Sequence, residues 1–176
     1  MRGLIFTELF ELVEDKFGYE LLDDIIVESE LPNDGAYVST GNYPFSELLT
    51  IVVKLHEHSK IPIPDLLEVF GEYLFEKLLG SHPQFKGVTD IIDFLENVET
   101  YIHIEVKKLY PDAELPKFDI VSKDDKSFTF YYISTKQLHH LAKGLIVGAS
   151  KYFDQPIDIQ MDVQENGSAL FTVTRQ

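Results

Sequence analysis

The hydrophobic period changes once along this chain, near Pro111 and Pro116, and that change limits the fold more than any motif does. Before it, apolar residues recur at the three- and four-residue spacing of amphipathic helices. Phe6, Leu9, Phe10, Val13 and Phe17 share one face of a helix over about residues 4–17, and Gly18 stops it. "YELLDDIIVES" predicts a second helix, and "LPNDGAYVSTGNYP" a loop of turn-forming residues. "FSELLTIVVKLHEHSK" predicts a third, with Ser46 as its N-cap. "IPIPDLLEVFGEYLFEKLLG" predicts a fourth, with Pro64 and Asp65 suited to its first turn and Gly80 closing it. "FKGVTDIIDFLENVETYIHIEVKKLYP" predicts one long helix, broken by Pro111. After the change, "KFDIVSKDDKSFTFYYIS" and "PIDIQMDVQENGSALFTVTRQ" each read as two strands. Their turns fall at Lys123–Lys126 and at Asn166-Gly167. Another amphipathic helix, "TKQLHHLAKGLIVGASKYF", separates the two hairpins. The pattern predicts an α+β fold. An N-terminal helical subdomain takes about residues 1–110, and a C-terminal antiparallel four-stranded sheet with helices takes about 111–176. At 176 residues a single domain is expected.

Acidic residues (30) outnumber basic ones (15), giving a net charge of −15. A nucleic-acid binder needs a basic surface to displace counterions, and this composition supplies none. The same charge opposes docking on anionic lipid and favours a partner with a basic patch. No stretch approaches the ~18 apolar residues of a membrane span. The opening "MRGLIFTELFELVEDKFG", studded with acids, lacks the unbroken apolar run of a signal peptide. A cytoplasmic protein that binds neither nucleic acid nor membrane is expected. The absence of cysteine excludes disulfides, thiolate metal sites and cysteine nucleophiles. No nucleophile–base pairing and no Gly-rich phosphate loop is in view, so no enzyme is predicted.

Within the long helix, "VETYIHIEVKKLYPDAELPKF" holds one histidine between two isoleucines. On a helical wheel Ile91, Leu95, Val98, Ile102, Val106 and Leu109 fall on one stripe within about 80° of arc. His103 lies roughly 100° from Ile102, on the shoulder of the stripe beside Ile92 and Tyr110. Two readings fit that position: a hydrogen-bonded residue at the edge of the core, or a metal ligand reaching sideways into a cleft. A zinc site wants three or four ligands. His56 and His58 point to different faces, His139 and His140 diverge, and His82 stands apart. A metal on His103 would therefore bring its own ligands, as a porphyrin does.

Tyr132, Ser134 and Lys136 follow at strand spacing, so two hydroxyls and a cation can face one side and cradle a carboxylate. The same alternation is ordinary on a sheet face, and Ser134 or Thr135 can equally cap the next helix. On that helix Leu141, Leu145, Gly148 and Tyr152 align, with Gly144 beside them. The small residues admit something flat, or another packed element.

Taken together, "YIHIEVKKLYPDAELPKF", the Tyr132-Ile-Ser134-Thr-Lys136 stretch, "MRGLIF", "YVSTGNYPFSEL", "VFGEYLF" and "AKGLIVGA" resemble the haem–nitric oxide/oxygen binding (H-NOX) domains. Those domains are similar to the haem domain of soluble guanylate cyclase. The resemblance runs from the first residue to the last hairpin. It implies one haem b clasped between the helical and sheet-containing parts, with His103 as axial ligand. It implies that Tyr132, Ser134 and Lys136 hold the propionates, that Pro116 presses on the haem and distorts it, and that Ile5 packs against it. The flanking isoleucines would keep water from its proximal face. Where the family signature ends in arginine this chain has Lys136, which keeps the charge but loses the planar fork, so a looser clamp is expected. Where oxygen-binding members carry a tyrosine, five residues past the signature, this chain has Leu141.

The resemblance thus implies a gas sensor selective for nitric oxide, with carbon monoxide also bound, signalling through loss of the iron–histidine bond. A stand-alone member would act in trans on a histidine kinase or a cyclic-di-GMP enzyme. The alternatives are an oxygen-binding haem protein, which Leu141 opposes, and a haem-free interaction module.

Overall fold

The computed structural model describes residues 1–80, 87–109 and 111–176. His82, Tyr110 and the side chain of Leu109 lie outside that description. The helical part opens with α1 (Gly3–Phe17) and α2 (Tyr19–Glu28), which meet at Gly18. Gly18 has φ +88°, a left-handed conformation that favours glycine. After the loop come α3 (Phe45–Ser59) and α4 (Ile63–Gly80). Helix α3 begins at Phe45, with Pro44 in the cap position. The N-cap expected at Ser46 is therefore not formed: Ser46 lies inside the first turn and lends its carbonyl to the Thr50 hydroxyl.

The predicted long helix is three segments: α5 (Ile91–Asn97), a π-helical turn (Val98–Ile102) and α6 (His103–Leu109). Asp90 starts α5 by accepting the amides of Ile92 and Asp93 at 2.9 and 3.2 Å. The π turn rotates everything after it relative to a regular wheel. The predicted stripe consequently holds for Ile91 and Leu95, which are buried, and fades at Val98, Ile102 and Val106, which are half-buried. Ile92, expected on the shoulder, is buried.

The sheet has the order β1-β2-β4-β3, all neighbours antiparallel. Its strands are β1 (Lys117–Lys123), β2 (Ser127–Ile133), β3 (Ile157–Val163) and β4 (Ala169–Arg175). The Asp124 carboxylate closes the first hairpin by accepting two turn amides. Gly167, at φ +81°, closes the second. Alternation puts Phe128, Phe130 and Tyr132 on the same face as Ala169, Phe171 and Val173, all buried. Phe130 lies opposite Phe171, their rings stacked at 5.3 Å.

Two cores result. One lies among α1–α4 and includes Phe6, Leu9, Ile25, Ile51 and Phe70. The other lies between the sheet face and α5. Helix α7 (His139–Phe153) serves both: Leu141 belongs to the first, Ala142, Ile146 and Ala149 to the second, and Leu145 touches each. The α+β architecture expected from the change of period is the one observed.

Candidate functional site

His103 stands at the junction of the π turn and α6. Its Nδ1–H donates to Glu99 Oε2 at 2.9 Å, and the Phe118 backbone N–H donates to the same oxygen at 3.0 Å. A carboxylate oxygen can only accept here, so Nδ1 carries a proton, and in the neutral form of the ring the lone pair is on Nε2. The Phe118 ring meets the imidazole edge-on, at 5.4 Å and 82°. The side chain keeps 16% exposure, which is the shoulder position expected from the wheel. Ile104 is half exposed, however, so the covering beside the histidine comes from Phe118 and the half-buried Ile102.

Pro116 lines the same cavity as His103. The two, with Glu99, Ile104, Leu115 and Lys107, line one cavity of about 510 Å³. Among the described residues no group of three or more His, Asp or Glu side chains could hold a metal ion. Three other described histidines are engaged elsewhere: His56 Nδ1 with the Ile61 carbonyl, His58 with Glu28, and His140 with Glu68.

Tyr132, Ser134 and Lys136 share a side, as expected. Tyr132 is buried and the other two are half-buried, while Ile133, Thr135 and Gln137 between and beyond them are exposed. Only Tyr132 sits in a strand. Ser134 and Lys136 lie in the turn after β2, where Ser134 Oγ accepts the Lys136 amide at 3.2 Å. The cap of α7 is Leu138, so neither Ser134 nor Thr135 has that role. Burial raises the Tyr132 phenol above its ordinary pKa, against the opposing pull of Ser134 and the Leu138 backbone. Lys136 Nζ is paired with the Glu114 carboxylate and holds it below the usual carboxylate range. Phe118 links the two groups, since its ring also meets Tyr132 at 6.2 Å.

On the other side, Ile5 of α1 and Leu145 of α7 are half-buried against the first core, and Leu141 is buried in it. Gly144 and Gly148 do not face the sheet. A Cβ on Gly144 would lie 2.1 Å from the Glu68 carbonyl oxygen of α4, and one on Gly148 2.6 Å from Phe75 Cβ. The small-residue face is where α4 lies against α7.

Sequence reasoning missed Glu99 and Phe118. Glu99 precedes His103 by four residues, the spacing at which two helix side chains meet, and this was its available signal. The Phe118 contact is set by β1 and had none.

His103, tied through Nδ1 and lining a cavity, marks the chain as a protein with a candidate ligand-binding pocket. The comparisons name the family: the chain belongs to the haem–nitric-oxide-binding proteins, the H-NOX proteins. The family model, described as Haem-NO-binding, matches residues 2–161. The unliganded Fe(II) H-NOX protein of K. algicida is 38% identical, with TM-score 0.95 over 100% of this chain and 97% of that one. The S. oneidensis H-NOX protein in its Fe(II)NO state is 29% identical, with TM-score 0.91 over 100% and 99%. The Shewanella woodyi H-NOX, bound to IWP-051 in its Fe(II)CO state, is 39% identical, with TM-score 0.86 over 100% and 95%.

Proposed function

We propose that this chain is a haem-based gas sensor. His103 Nε2 is the axial ligand of haem b, nitric oxide and carbon monoxide bind on the Leu141 side in preference to oxygen, and the signal passes in trans to a partner enzyme. The observation that carries this reading is the imidazole itself. Its Nδ1 is held by Glu99, its lone pair is left on Nε2, and it faces a cavity shared with Pro116.

The surrounding residues fit the group. Tyr132 and Ser134 offer hydroxyls, and Lys136 an ammonium, to the haem carboxylates. Lys136 must leave Glu114 to reach them, and Glu114, with 77% exposure, can be released into water at little cost. Pro116 supplies a rigid ring on the His103 side. Ile5, Leu141 and Leu145 form an apolar wall. Leu141 cannot donate a hydrogen bond to a polar bound diatomic, so oxygen gains nothing there that nitric oxide lacks. Haem, held by His103, Tyr132, Ser134 and Lys136, would supply the iron that takes up the gas. Loss of the iron–His103 bond would then carry the signal, freeing α6, whose described side chains are only half-buried or exposed, from that one restraint. A partner can respond only through its different affinity for the two positions of that helix.

The Fe(II)NO and Fe(II)CO states of the Shewanella relatives support these two gases. A histidine kinase or a cyclic-di-GMP enzyme is the partner implied by the family resemblance, and the net charge of −15 favours a basic docking face on it. A cytoplasmic setting is consistent with the described helices, none of which is long and apolar enough to cross a membrane.

Absorption spectra of the reduced, haem-loaded chain test the reading. Nitric oxide and carbon monoxide should each shift the Soret band, and air should yield no stable oxygen complex. An oxygen complex that persists in air overturns the selectivity. A Soret band unchanged by His103→Ala overturns the axial ligand. Lys136→Arg should slow haem loss, and faster loss would remove Lys136 from the carboxylate site.

A further inference from the structure

We infer that Glu99 is a positioning residue for His103. It fixes the ring by its Nδ1 proton, raises the donor strength of Nε2, and so sets how hard the iron–histidine bond is to break. This deepens the proposed function and rests on the reading of His103 as axial ligand.

Three observations carry it. The bond from His103 Nδ1 to Glu99 Oε2 is 2.9 Å long and only partly open to water, with side-chain exposures of 16% and 29%. Glu99 is itself held from a second direction, because the Phe118 amide donates to the same oxygen at 3.0 Å. The carboxylate is thereby pinned to β1 while it orients a residue of α6. The pair also spans the π turn at Val98–Ile102, and such insertions occur often at functional sites. A histidine that binds metal through one nitrogen and donates the other N–H to a carboxylate has its tautomer fixed and its basicity raised. Loss of such a partner typically costs about 10–100-fold in metal affinity or activity. The groups around the imidazole have different parts: Phe118 packs its ring edge-on, Pro116 lines the same cavity, and Glu99 holds the proton.

The arrangement has a consequence for signalling. The tie from His103 through Glu99 to Phe118 does not involve iron. A released His103 therefore stays attached to β1, and α6 swings about that attachment.

Resonance Raman spectra of the reduced, haem-loaded chain read the iron–histidine stretching band directly. Glu99→Gln keeps an acceptor of the same shape for Nδ1–H but removes the charge, and Glu99→Leu removes the acceptor. The band should fall in frequency from wild type to Glu99→Gln to Glu99→Leu. At fixed pH the midpoint potential should rise in the same order, because a weaker donor favours ferric iron less. Release of the histidine by nitric oxide should be faster by about 10-fold or more in Glu99→Leu. The frequency is independent of occupancy, so a variant that loads incompletely is read on its loaded fraction. His103→Gly, without and with added imidazole, assigns the band. If His103→Gly leaves the band in place, the axial-ligand reading fails whatever Glu99 does. If the band belongs to His103 yet neither its frequency nor the potential moves in Glu99→Gln, then Glu99 serves only to tie α6 to β1 and the inference is overturned.

Discussion

Two helical walls flank the proposed haem site, and they are built to opposite specifications. Helix α7, bearing Leu141 and Leu145, is clasped along its length. Gly71 and Gly144 bring α4 and α7 into backbone contact, and Glu68 and Glu72 of α4 reach His140, Lys143 and Lys151 of α7. The rod bearing His103 is buried only at its start, and beyond it the Glu99–Phe118 hydrogen bond is its tie to β1. Ile91, Ile92, Phe94 and Leu95 are buried against the sheet, and no described residue from the π turn through α6 is buried. A gas sensor needs one wall that stays and one that moves, and stability concentrated in one element leaves the other free to respond. The difference comes from side chains: small residues admit a close helix, while a run of half-exposed residues after a π turn has little apolar area to bury.

The anchor should be the most sensitive point. Ile92 keeps 1% exposure, so Ile92→Ala empties a site in the second core and should cost about 2–5 kcal/mol in urea unfolding. Ile104, twelve residues along the same rod, keeps 50% exposure, and Ile104→Ala should change stability by less than about 0.5 kcal/mol. Equal losses at the two positions would mean that the rod is anchored throughout, and the contrast with α7 would disappear.

On the clamped side, Gly144→Ala should cost about 1–3 kcal/mol by overpacking. The new methyl would start 2.1 Å from a backbone oxygen, which cannot rotate aside as a side chain can, so α4 and α7 must part. A neutral result in the same unfolding assay would show that the two helices separate freely.

The change of period near Pro111 and Pro116 was enough to read the two-part fold, because period two and period 3.6 leave separate marks on burial. His103, Pro116 and the Tyr132–Lys136 stretch were singled out for a different reason. Their types match a family pattern, while spacing alone left an edge-of-core histidine and a ligand both open. The π turn was not legible, and neither was the contact it makes through Glu99 with Phe118 of β1, a residue distant along the chain. The same holds for Gly144, whose small size was plain but whose neighbour, α4, was not. Lys136 shows a further limit. Sequence supplies its charge, and only the fold supplies Glu114 as its partner.

Acid provides the gentlest way to separate the two walls. Burial raises the Glu68 carboxyl, but hydrogen bonds from His140 and Lys143 outweigh it and leave the pKa below the ordinary value. A carboxylate with a depressed folded pKa contributes its stability above the ordinary value, about 4.3, and loses it as pH falls through the folded value. His139, at the first turn of α7, is shifted down by burial and then by the neighbouring His140. Its Nδ1 is buried without a hydrogen-bond partner among the described residues. The neutral ring is therefore favoured in the fold, and that contribution fades as pH falls below about 6.5. His139 lies in α7 and Glu68 joins α4 to it, so acid should weaken that wall first at His139 and then at Glu68. Glu68→Gln should lower stability at pH 7 by about 0.2–1 kcal/mol, since the pair is partly exposed, and the deficit should shrink only as pH falls below about 4.3, where the wild type loses the same charge. Hydrogen exchange followed along both helices is the measurement: lowering the pH should speed exchange in α7 more than in α5. Faster exchange in α5 instead would place the acid-sensitive contacts on the His103 rod and reverse the assignment of the two walls.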